Sequence, residues 1–226
     1  MWFKKGLTIF ALSCALTVGV SAVNSAWAAN KGYVTVKEIE NNSPKIEIQM
    51  PQLKDHELQD KINAAIEQPI NAAMTSYREL TEKSKPEWVK RYTMLADYDV
   101  KLHTQKTFSI VQRIYQFTGG AHGIHIIVAQ NFNMQNGKQL ELPDLFTDYA
   151  SVEQIVPIIK RQIIERGKQN SYSFNGLQKN QQFFLTQEGL FLLFQPYEIA
   201  PYSEGSIYFF IPYVQLSNFN YSAILY

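Results

Sequence analysis

An α+β fold with antiparallel sheets is predicted by three features of the chain. Apolar residues mostly recur with period two, turn signals separate these runs, and two longer stretches recur instead at three and four. The expected architecture is therefore sheets built from hairpins with two inserted amphipathic helices. One helix falls in each half, residues 29–105 and 106–226, and the halves are expected to pack into one body.

Residues 1–28 read as a cleavable export signal. Lys4 and Lys5 precede an apolar run from Gly6 to Val20, and Ala26-Trp27-Ala28 supplies the small-residue cleavage pattern, with cleavage expected after Ala28. The competing reading, a retained anchor, meets a run shorter than the roughly 20 residues that span a bilayer. Cys14 raises lipid attachment, but Ala11-Leu12-Ser13 is a poor lead-in and the apolar run continues past it. The mature chain is expected to be secreted or periplasmic, with no transmembrane span.

The whole chain carries 21 basic and 20 acidic residues, and losing Lys4 and Lys5 leaves 19 against 20, a net charge of −1. No preference for nucleic acid follows. Cys14 is the single cysteine, so disulfides and thiol chemistry are excluded from the exported part.

Tyr33 to Glu40 and Ile46 to Met50 alternate around Asn41-Asn42-Ser43-Pro44, a hairpin. Leu58, Ile62, Ala65, Ile66, Ile70, Ala73, Tyr77 and Leu80 then mark a helix with Asp55 as N-cap. Pro69 lies inside it and predicts a kink or two shorter helices. Thr81 to Lys90, with Pro86, reads as a connection. Tyr92 to Phe117 gives two strands turning near Thr104-Gln105-Lys106, the second apolar on both parities and so covered on both faces for part of its length. After Ile124 to Phe132, Asn136-Gly137 signals a tight hairpin with Lys138 to Leu142 returning.

A second helix is marked by Val152, Ile155, Ile159, Ile163 and Ile164, with Ser151 and Gln154 as a capping box, Pro157 as a kink or start, and Gly167 as its stop. Phe183 to Thr186 and Leu190 to Gln195 form a hairpin about Gln187-Glu188-Gly189. Pro196 to Tyr202 is an extended loop, Ser206 to Ile211 a strand, and Phe219 to Tyr226 a short terminal one.

Two stretches are candidates for a site. In Thr118-Gly119-Gly120-Ala121-His122-Gly123, the glycines Gly119, Gly120 and Gly123 permit an unusual turn that carries one imidazole. His122 either contacts a ligand or hydrogen-bonds the turn's own backbone, the latter favoured because no catalytic partner is identifiable. In Pro196-Tyr197-Glu198-Ile199-Ala200-Pro201-Tyr202, the rings of Tyr197 and Tyr202 suit a sugar or protein partner, with Glu198 accepting its hydrogen bonds; packing beneath the loop is the equal alternative. His122 and His125 lie on opposite faces if a strand starts at Gly123, and no further ligands stand at zinc spacing, so neither a metal nor a cofactor is expected. His56 and His103 read as solvated. No nucleophile elbow, zinc-protease helix or phosphate loop is present, which argues against an enzyme.

Thr118-Gly119-Gly120-Ala121-His122, Asn131-Phe132 before Gly137-Lys138, Leu142-Pro143-Asp144-Leu145-Phe146, Phe184 to Leu190, and Pro196 to Tyr202 with Gly205 and Ile211-Pro212-Tyr213 together resemble a bacterial extracytoplasmic domain of unknown function. That domain forms the ectodomain of lysozyme-sensing anti-sigma-V factors (RsiV-like) and the non-catalytic region preceding the catalytic domain of deacetylase C-type peptidoglycan deacetylases (PdaC-like). The resemblance covers about residues 90–215, with 33–90 like its companion N-terminal domain. The sigma-binding segment, the transmembrane helix and the catalytic domain of those relatives are not expected here, and the resemblance implies the envelope domain standing alone. The expectation is an exported, non-catalytic module binding peptidoglycan or a protein such as lysozyme. The alternatives are an envelope hydrolase using His122 and Glu198 as acid and base, and a structural accessory protein.

Overall fold

The computed structural model describes residues 33–226. The export signal and Cys14 lie outside the described residues. Strands β1 (Tyr33–Asn42), β2 (Lys45–Lys54), β3 (Thr93–His103), β4 (Thr107–Phe117) and β5 (Ile124–Asn133) form one sheet in the order β1-β2-β3-β4-β5. Its pairs are antiparallel except β2 with β3, which run parallel because helix α1 (Gln59–Glu82) and the short α2 (Pro86–Val89) carry the chain back across the sheet. Strands β6 (Gln182–Leu185), β7 (Gly189–Phe194) and β8 (Ile207–Pro212) form a second, antiparallel sheet. Helix α3 (Ile155–Glu165) covers it, and α4 (Tyr221–Ile224) ends the chain. Mixed α and β elements with mostly antiparallel pairing match the expected fold class. Among the described residues no helix is long and apolar enough to cross a membrane.

Strand alternation dictates a four-layer order. Even-numbered residues of β4 face α1, where Phe108 and Ile110 meet Ile62 and Ile66, and Ile114 joins the group of Ile70, Met74 and Tyr77. Odd-numbered Val111 turns the other way, onto Phe184 and Leu193 of the second sheet. The opposite face of that sheet, with Leu190, Leu192, Phe209 and Ile211, packs under Ile155, Ile159 and Ile163 of α3. Polar side chains stitch the seam between the sheets: Leu185 N–H donates to Ser109 Oγ at 2.9 Å, and Asn131 Nδ2 donates to the Phe183 carbonyl at 2.8 Å. Thus β4 is covered on both faces for part of its length.

Several elements differ from expectation for identifiable reasons. Helix α1 passes through Pro69 without ending. Proline removes the donor for the carbonyl four residues back, and Gln130 Nε2 donates to that Ala65 carbonyl at 2.7 Å. Asp55 does not cap the helix; it sits at φ 58°, the N-cap position is Leu58 with no side-chain cap, and His56 closes the turn leading in by accepting Leu58 N–H on Nδ1 and Gln59 N–H on its carbonyl. The segment after Asn136-Gly137 makes one bridge, Phe132 with Gln139, and then a 3-10 turn instead of a returning strand. Ser151 and Gln154 form no capping box. They belong to a 3-10 turn capped by Asp148, and α3 starts at Ile155, which places Pro157 in its first turn where a missing N–H costs little. The tail forms a bridge at Phe219 and then α4, not a strand.

Candidate functional site

The second sheet covers only part of the outward face of the first. Beyond its edge, residues of β1 to β5 on the parity of Val111 line an open cleft of about 1,210 Å³. Arg113 lies on its floor, with Nε 2.6 Å from Asp97 Oδ1 and an Nη 2.7 Å from Asp99 Oδ2. The guanidinium holds the Asp99 carboxyl below its ordinary range, and Asp99 in turn raises Arg113. The cleft's one arginine is therefore committed to carboxylates, while Glu38, Glu40 and Glu47 add further acid along the β1–β2 wall. Tyr115, Tyr202 and Tyr208 also line the cleft, and burial raises the Tyr208 hydroxyl above its usual range.

The glycine turn and the tyrosine loop meet at the rim. Gly119 and Gly120 adopt φ of 99° and 93°, which other residues avoid, so the turn depends on them as expected. Gly123 is needed for a different reason: a Cβ there would collide with the Tyr115 ring. Tyr115 in turn packs against the His125 ring at 4.7 Å.

The Gly123 carbonyl gathers the site. It accepts from Tyr202 Oη at 3.1 Å and lies 2.9 Å from His122 Nδ1. A carbonyl only accepts, so the neutral imidazole carries its proton on Nδ1 and leaves Nε2 as an acceptor. Tied to one oxygen, the His122 and Tyr202 rings stack at 4.7 Å and 21°, and Tyr197 continues the row at 5.3 Å from Tyr202. Tyr197 is 71% exposed and holds φ 71°, a left-handed backbone that costs a non-glycine residue about 1 kcal/mol or more.

Glu198 points elsewhere. Its Oε2 accepts the Gln195 N–H at 2.7 Å, closing its own loop, and burial raises its carboxyl against that opposing hydrogen bond. No hydrogen bond or ion pair links it to His122. Of the four candidate binding residues, His122, Tyr197 and Tyr202 thus form one row, and Glu198 shapes the loop behind them. His56 and His103 are not merely solvated: His56 closes the turn leading into α1, and His103 lies against Phe108 at 5.0 Å.

Gln195 was not legible as part of the site. Its carboxamide Oε1 accepts Ile127 N–H at 3.2 Å and its Nε2 donates to the Ile127 carbonyl at 2.6 Å. This two-point pair occupies the free edge of β5, and Gln182 Oε1 takes the next outward N–H, that of Ala129, at 2.9 Å.

Two packed sheets between two helices, with an aromatic row at the mouth of an acid-lined cleft, define an α+β domain with an open surface site. Residues 37–125 match the family described as Deacetylase PdaC, and residues 143–214 match a family described as a protein of unknown function, DUF3298. Each match covers less than half of the chain, so residues 37–125 are similar to the first family and residues 143–214 to the second. A crystal structure of a DUF3298 family member from Bacteroides fragilis NCTC 9343 is similar, with a TM-score of 0.58, 21% identity, and coverage of 84% of this chain and 96% of that one. A DUF3298 family protein from Pseudomonas aeruginosa PAO1 gives the same TM-score of 0.58 at 18% identity, covering 88% and 95%. At these identities the likeness concerns the fold. No curated protein matches the sequence. The site draws on both matched segments, with His122 and Arg113 in the first and Tyr197, Tyr202 and Tyr208 in the second.

Proposed function

We propose that this is an exported, non-catalytic cell-envelope module that binds a glycan, peptidoglycan in the first instance, along the His122-Tyr202-Tyr197 row and the adjoining cleft. The observation that carries the reading is Tyr197: a strained backbone holds a largely exposed ring in register with two others. Strain of this kind persists where surrounding structure enforces it, and it clusters at binding sites. Tyr197, largely exposed at the end of the stack, offers an apolar face to pyranose C–H groups, and the carboxylates of the cleft accept hydrogen bonds from hydroxyls. The two matched families support an envelope role. Cosedimentation of the mature chain with purified peptidoglycan sacculi tests the proposal. Retention that falls when Tyr197 and Tyr202 are both changed to alanine is expected, and no retention of the unaltered chain overturns it.

A protein ligand such as lysozyme is the second reading, favoured by one specific feature, the acidic wall of Glu38, Glu40 and Glu47. A basic partner would bind there with strong salt dependence, whereas a neutral glycan would not. The hydrolase alternative draws no support from the site, because the Glu198 carboxyl is bonded within its own loop.

A further inference from the structure

We propose that Gln195 is a positioning residue for this site: its carboxamide acts as a one-residue surrogate strand that latches the tyrosine arm onto the free edge of β5. The inference rests on the glycan reading only for its binding readout; the latch itself stands on geometry.

The odd-numbered residues of β5 direct their N–H and C=O groups away from β4. Ile127 does so toward Gln195 and Ala129 toward Gln182, while Asn131 accepts from Leu140 N–H at 2.7 Å. A primary carboxamide carries an acceptor and a donor side by side, which is the complement of one outward-facing residue of a strand. At Ile127 both halves are used. The arm departs immediately afterwards through Pro196 and Tyr197, and Glu198 folds back to accept the Gln195 N–H. Residues 195–198 are therefore a closed turn pinned at one point to the sheet, and the left-handed backbone of Tyr197 sits inside it. The far end of the arm is pinned by Tyr202 to the Gly123 carbonyl, two residues along the same strand edge from the His125 position. With two anchors on one edge, the arm holds Tyr197 and Tyr202 in register with His122. Removing the Gln195 anchor leaves the strained end of the arm without its tie.

The test uses Gln195→Ala and Gln195→Glu in the mature chain. Glutamate is the informative variant. As a carboxylic acid it presents the same adjacent acceptor and donor, while as a carboxylate it loses the donor and sets an oxygen against the Ile127 carbonyl. Two readouts are taken between pH 4 and 7: retention on purified sacculi, and the upfield ring-current shift of the Tyr197 ring protons, which reports stacking on Tyr202 without any ligand. For Gln195→Ala, about tenfold weaker retention and loss of the Tyr197 shift are expected at every pH. For Gln195→Glu, both readouts should be lost at pH 7 and recover toward pH 4, while the unaltered chain, which also contains Glu198, serves as the control. A Gln195→Glu profile parallel to that of the unaltered chain, or a Tyr197 shift that survives Gln195→Ala, overturns the latch. Intact ring-current behaviour in a chain that never binds sacculi would overturn the glycan reading and leave the latch supported. General unfolding of Gln195→Ala with no acid recovery in Gln195→Glu would also overturn it.

Discussion

The two faces of the five-stranded sheet are made by the same strands and are separated by one step of alternation, yet they have opposite fates. The face under α1 is closed. Phe108, Ile110 and Ile114 are at most 2% exposed there, and even the carbonyl freed by Pro69 is supplied with a donor. The other face is closed only where the second sheet reaches it, over Val111 and Ala129, and then opens onto Arg113, Tyr115 and the acidic wall. The first face carries packed core, and the second presents the aromatic rim and the acidic wall. The sharpest way to break this comparison is to alter one face and read the other.

The largest effect is expected on the closed face. Phe108→Ala should cost about 3–5 kcal/mol in urea unfolding, while the fraction that remains folded binds sacculi as before. Tyr202→Ala is the converse. It should weaken sacculi retention about tenfold or more, with a stability loss of only about 1 kcal/mol from the lost bond to Gly123. If the two variants lost binding and stability in the same proportion, the division between faces would be wrong.

How much of this was legible follows from what each residue answers to. The period-two and helical runs and Gly167 at φ 66° were readable, because local periodicity and backbone freedom set them, whereas the glycine turn and the tyrosine loop meet across 79 positions and only the fold brings them together. Pro69 was readable as a disturbance but not in its outcome, since Gln130, 61 positions away, supplies the missing donor and only the fold brings it there. Ser151 and Gln154 carried a valid local signal that lost to tertiary contacts: Gln154 exchanges hydrogen bonds with Ser217 instead. Gln195 and Gln182 carried no signal at all, because a carboxamide paired with a strand edge looks like any exposed glutamine until the edge is known. The acidic wall was equally silent, with Glu38 and Glu47 lying on an ordinary hairpin.

A smaller effect sharpens the closed face. Both amide atoms of Gln112, on the α1 side of β4, are buried without a hydrogen-bond partner. Gln112→Leu keeps the volume and removes this deficit, so it should raise stability by about 1 kcal/mol in urea unfolding. A loss would show that the interface under α1 depends on that amide.

The smallest effect concerns the loop behind the open face. Burial raises the Glu198 carboxyl above its ordinary value in the folded chain. A raised carboxyl contributes most while protonated, so its contribution is full at acid pH and is lost as pH climbs from the ordinary value through the raised one. Glu198→Gln should flatten that segment of the stability profile, measured by thermal unfolding between pH 3 and 7. A segment unchanged by the substitution would place the pH dependence elsewhere.

The proposed recognition surface is the open face with its aromatic rim. Chemical-shift mapping of the chain titrated with soluble peptidoglycan fragments tests it most directly. Shifts concentrated on His122, Tyr115, Tyr197, Tyr202 and the edge of β5 are predicted, with the α1 face silent. Saturable shifts confined to α1 or α3, or none at any fragment concentration, would contradict it.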